Sequence, residues 1–136
     1  MNTQEVLHRH NLKRTSCREG ILKAIVESDQ ALSENEIREK LEGSYDRTTF
    51  YRSFKTLIEN NIVHKIVVDN QIVKYALDPL ITLKHSHAHF YCETCECVKC
   101  MDSVIVDIPA LPEGYHANHI ELIIKGLCAS CSHLQN

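Results

Sequence analysis

Through the first sixty residues the apolar positions recur at three- and four-residue spacing. Cys17, Ile21, Leu22, Ile25 and Val26 make one helical stripe. Ahead of them, Ser16-Cys17-Arg18-Glu19 has the S-x-x-E form of a capping box, in which hydroxyl and carboxylate satisfy orphan amides reciprocally. A second box, Ser33-Glu34-Asn35-Glu36, precedes Ile37 and Leu41, and Gly43 is expected to stop that helix. Asp46 is placed to cap a third helix. There Phe50, Phe54, Leu57 and Ile58 face a core, while Arg47, Tyr51 and Lys55 share an outer face with Arg52 beside them.

After residue 60 the period shortens. IVHKIVV and IVKYAL are rich in β-branched residues and flank Asp69-Asn70, expected as a tight-turn pair. Two capped helices joined by a short turn predict a helix-turn-helix, and the hairpin behind them predicts a winged helix. Asp78-Pro79 breaks the second strand. Further on, Ala88–Tyr91, Val104–Val106 and His119–Ile124 are candidate strands, with Pro109 and Pro112 blocking a regular helix between the last two. The expected division is residues 1–79 as a DNA-binding winged helix, 80–84 as a hinge and 85–136 as a small α/β unit, an α+β chain in all. Roughly fifty residues are marginal for an independent core, so a metal or a partner subunit should supply the missing stability.

Composition narrows the class. Of 136 residues, 43% are hydrophobic and 24% charged, the balance of a soluble globular protein. No run approaches the roughly 18 apolar residues that cross a bilayer, and the N-terminus lacks the apolar core of a secretory signal. A cytoplasmic protein without a membrane partner is expected. The net charge of −3 hides an asymmetry, since residues 1–60 are balanced and the deficit lies in 61–136. Arg9, Lys13, Arg14, Arg18 and Lys23 face Glu19 alone, a local field suited to phosphates.

Seven cysteines are too few for a disulfide scaffold, and six of them fall between Cys92 and Cys100 or between Cys128 and Cys131. Such clusters in a cytosolic chain point to metal. Cys92-x-x-Cys95 and Cys128-x-x-Cys131 can each place two thiolates on one ion, and together they close a tetrahedral zinc site. Cys97-x-x-Cys100 has the same spacing, but the first choice gives matched pairs. His85, His87 and His89 alternate, so on a strand their rings share one face just ahead of the thiolates. Asp78 and His64 can reach in from the wing, and Cys100 is a thiol close by in sequence. No G-x-S-x-G, P-loop or H-E-x-x-H motif is present, so an enzyme is not expected. Two rivals are a thiol-based redox or peroxide sensor using Cys97 and Cys100, and a zinc-ribbon module that binds protein.

At these residues the chain resembles the ferric uptake regulator family of metal-sensing repressors, in a form similar to its zinc-uptake regulators. The resemblance rests on Thr15-x-x-Arg18-x-x-Ile21-Leu22, Thr49-Phe50-Tyr51-Arg52, His87-x-His89-x-x-Cys92-x-x-Cys95 and Gly126-Leu127-Cys128-x-x-Cys131, in that order. It implies an N-terminal winged helix, a C-terminal dimerisation domain and a homodimer on palindromic double-stranded DNA. It also implies structural zinc at Cys92, Cys95, Cys128 and Cys131. For the regulatory metal, zinc or else iron or manganese, it implies His64, Asp78, His87 and His89, with His85 or Cys100 as an extra ligand. Thiolate and imidazole donors favour zinc. Ala31 stands where iron- and peroxide-responsive members have a histidine. A further family site is reduced to Asp107 and His119, because Ser86 and Ala88 replace its other ligands. The family's long helix between the last strands shrinks to PALPEG. On DNA, Thr48, Tyr51 and Arg52 would enter the major groove while Lys13 and Arg14 contact phosphate or minor groove.

Overall fold

The computed structural model describes residues 2–41, 45–69, 71–78, 88–101, 104, 110–117 and 120–134. The chain begins with α1 (Thr3–Arg9), α2 (Ser16–Glu27), α3 (Glu34–Lys40) and α4 (Arg47–Glu59). Each start is held by a side chain that accepts otherwise orphaned amides. Asn2 caps α1, Thr15 accepts from the Arg18 N–H at 3.2 Å, and Asp46 accepts from the Thr49 N–H at 2.8 Å. At α3 the reciprocal box is complete: Ser33 Oγ accepts from Glu36 N–H and Glu36 Oε1 accepts from Ser33 N–H. The box expected at Ser16 is corrected to a single cap at Thr15, which places Ser16 inside the helix. The third helix of the sequence pattern is therefore α4, because α1 precedes them all. Helix α3 ends at Leu41, and the stop expected at Gly43 lies outside the described residues.

The apolar stripes of these helices meet as forecast. Ile21, Leu22, Ile37, Phe50 and Leu57 are sealed from solvent, and Phe54 stacks on Phe50. Ala24 joins this core, whereas Val26 is half-buried. The wing is β1 (Val63–Val67) antiparallel to β2 (Val73–Leu77), with Leu32 bridged to Tyr75 as a short third rung. Val68 N–H donates to Ile72 C=O, which closes the hairpin beyond the paired strands. Asp69 adopts φ +63° there, and Asn70 lies outside the described residues.

A second sheet has the order β4-β3-β5, from β3 (Ala88–Cys92), β4 (Val98–Cys100) and β5 (Leu122–Gly126), and α5 (Ala129–Leu134) follows. β4 is antiparallel to β3, while β5 runs parallel to it. The strand expected at His119–Ile124 thus begins at Leu122 and reaches Gly126. The candidate strand Val104–Val106 and the hinge 80–84 fall largely outside the described residues. Residues 110–117 are not helical, as expected around Pro112.

The wing packs on this sheet. Ile66, Val68 and Ala76 from the wing share a buried cluster with Ala31, Tyr91 and Val98. Ala31 N–H donates to Val98 C=O at 2.7 Å, and Lys125 pairs with Asp69 at 2.7 Å across the same boundary. No helix among the described residues is long and apolar enough to cross a membrane.

Candidate metal centres and nucleic-acid interface

Cys92 ends β3, Cys95 sits in the turn behind it, and Cys128 and Cys131 bracket the start of α5. The parallel pairing of Cys92 with Gly126 draws the two pairs together. All four sulfur atoms lie within 4.8 Å of one another. The amides of Cys95 and Cys128 point at Cys92 Sγ, each at 3.5 Å, and hold its thiol down at about 6. Hydrogen bonding to Cys128 and Cys92 pushes the Cys131 thiol up. Four thiolates repel, so some protons stay until a dication replaces them. The donor set fits a closed tetrahedral zinc site. Cys97 leans on it from outside, its sulfur 3.4 Å from Cys95 Sγ, and burial pushes its thiol up to about 11.

A second group forms where the wing meets the sheet. His64 comes from β1, His89 from β3, and Glu121 stands just ahead of β5. Their ligand atoms also lie within 4.8 Å of one another. His64 Nε2 is 2.6 Å from Glu121 Oε1, and His89 Nε2 is 3.5 Å from the same oxygen. The two imidazoles stack with centroids 6.0 Å apart. His89 is 2% exposed. Two imidazoles and a carboxylate suit a first-row transition metal. Asp78, at the end of β2, and Cys100, opposite His89 on β4, stand outside this group. His85, His87, Asp107 and His119 lie outside the described residues.

Glu121 was missed from sequence. It is one acid ahead of a strand, and only the parallel β3–β5 register brings it beside His89.

In the winged helix, α4 exposes Arg47, Thr48, Tyr51, Arg52 and Lys55. Lys13 and Arg14 are exposed in the segment before α2. They differ in availability: Arg14 is ion-paired with Glu19, while the Lys13 carbonyl accepts from Arg18.

Residues 9–124 match the model of the ferric uptake regulator family. The chain belongs to this family. Ferric uptake regulators are metal-dependent transcriptional regulators rather than enzymes. Within the family the chain is 28% identical to the zinc uptake regulation protein of Escherichia coli strain K12 over 135 residues, covering 94% of this chain and 78% of that relative. Among solved structures it is similar to a zinc uptake regulator complexed with zinc and DNA, at 25% identity and a TM-score of 0.63, covering 97% of this chain and 91% of that one. The Vibrio cholerae ferric uptake regulator matches its fold with a TM-score of 0.67 and 19% identity, covering 93% of this chain and 100% of that one.

Proposed function

We propose that this ferric uptake regulator is a zinc-responsive repressor, a cytoplasmic homodimer that binds operator DNA when a regulatory metal joins its two parts. The observation that carries the reading is the meeting of His64 from the wing with His89 and Glu121 from the sheet. A metal there links the DNA-reading unit to the unit expected to dimerise. In a two-fold dimer that link sets the separation of the α4 helices, which must match half-sites about 34 Å or a multiple apart. Metal that binds the DNA-competent arrangement more tightly shifts the population toward it.

Each group of residues has its part. His64, His89 and Glu121 hold the regulatory ion, with His87 as a fourth ligand and Asp78, His85 and Cys100 as further candidates. Cys92, Cys95, Cys128 and Cys131 hold a structural zinc that staples β3 to α5. Thr48, Tyr51 and Arg52 enter the major groove, and Lys13 contacts phosphate, with Arg14 beside it. The domain division is 1–79, 80–84 and 85–136. Imidazole donors together with the 28% identity to a zinc uptake regulation protein support zinc ahead of iron or manganese. Leu122 and Ile124 are exposed on β5, the edge strand among the described residues, and support a second copy at that edge.

The test is operator binding by the full chain in buffers that set free zinc, iron(II) or manganese(II). Binding should appear at the lowest free concentration with zinc, and His89→Ala should abolish the response while keeping the structural zinc. Metal-independent binding by the unmodified chain would refute the mechanism.

A further inference from the structure

The cations of this chain are unequally free to meet DNA. Arg9 pairs with Glu5, Arg14 with Glu19, Lys55 with Glu59, Lys74 with Glu36 and Lys125 with Asp69. Arg47 is held differently. It is the first residue of α4, it is exposed, and its Cζ lies 5.5 Å from the centroid of the Tyr51 ring one turn later. The Tyr51 ring meets the edge of Phe50 at 5.8 Å and 75°, and Phe50 is buried in the core beneath. The guanidinium is thus oriented by a ring that is itself anchored to the packed interior.

Orientation matters more to a base contact than to a phosphate contact. A phosphate needs only a cation nearby, which a mobile side chain supplies. Reading a guanine through O6 and N7 needs a planar fork in a set direction, and stacking on an aromatic face lowers the entropy lost on binding. The N-terminal residues of a recognition helix are also those that meet base edges. We propose that Arg47, held on Tyr51, is a base-reading residue that selects a guanine in each operator half-site. This rests on the DNA-binding reading above and adds a residue outside the Thr48, Tyr51 and Arg52 set.

The experiment selects binders from a random-sequence duplex pool, using the zinc-loaded full chain and its Arg47→Ala and Arg47→Lys variants. The unmodified chain should enrich a two-fold-related motif with a guanine at one symmetric position. Arg47→Ala should lose the preference at that position by about tenfold or more and keep the rest of the motif. Arg47→Lys should recover overall affinity and salt dependence without the full guanine preference, because an ammonium lacks the planar fork. An unchanged motif in Arg47→Ala, with a uniform loss of affinity that lysine repairs, would make Arg47 a phosphate contact and overturn the proposal alone. Failure of the unmodified chain to enrich any motif would overturn the DNA-binding reading as well. Both variants should melt at the temperature of the unmodified chain, since Arg47 is exposed.

Discussion

Replacing Cys128 by serine removes one ligand from the four-cysteine group, and the size of the effect follows from the topology. Cys128 and Cys92 are 36 residues apart in sequence yet meet at hydrogen-bond distance. A cross-link closing a loop of that length restricts the unfolded chain by roughly 4 kcal/mol on the chain-entropy relation. Among the described residues the sheet it closes has three short strands, and β5 pairs there with β3 alone. A small domain is stable by only about 5–15 kcal/mol in all, so losing the cross-link removes a large share. The helical core around Ile21, Phe50 and Leu57 is a separate cluster and should survive. Cys128→Ser should therefore lose its structural zinc, dissociate to monomer and lose the β3–β5 part of the sheet signal while keeping most helical circular dichroism. Zinc per subunit by mass spectrometry, sedimentation velocity and thermal melting read these outcomes. A serine variant that keeps full zinc, its oligomeric state and its melting temperature would refute the assignment.

Glu121→Ala should weaken regulatory metal binding by at least tenfold in competition with a chelator while the four-cysteine zinc stays; unchanged affinity would remove Glu121 from the ligand set. Ile66→Ala empties a sealed position between wing and sheet and should cost about 2–5 kcal/mol, read by urea denaturation, with faster amide exchange in β1 and β4. Hydrogen bonds from Thr49 hold the Asp46 carboxyl below its ordinary 3.8. A depressed folded value stabilises α4 above the unfolded value, and the gain disappears as pH falls through the folded one. The urea midpoint should thus drop between pH 5 and about 2, and Asp46→Asn, which keeps the cap, should flatten that part of the profile.

What could be read beforehand follows the range of the interaction. The Ser33–Glu36 box and the Asp46 cap are contacts over three residues, so their sequence form carries them. At the start of α2, Thr15 and Ser16 both offer a hydroxyl, and only the backbone conformation decides for Thr15. Helix α1 is short, with Val6 and Leu7 as its buried residues, too few to display a period. Each cysteine pair is local and legible, whereas the joining of the two pairs depends on β5 lying parallel to β3. Glu121 depends on that register entirely. Strand β4, three residues long, has no pattern that separates it from a turn.

That register also bears on the order in which the chain acquires its parts. Ala88 lies opposite Leu122, so β3 cannot find its parallel neighbour until a segment 34 positions later is available. The hairpin ahead of it closes over far shorter separations, with Val63 opposite Leu77 at the widest, and such contacts form sooner than distant ones. During synthesis, which runs at about 5–20 residues per second, α1 to α4 and the hairpin are made before Glu121 can reach His89. If the proposed function holds, the restraint on α4 is built last, and a newly made chain passes through an interval in which its helices are in place while Glu121 has yet to join His64 and His89.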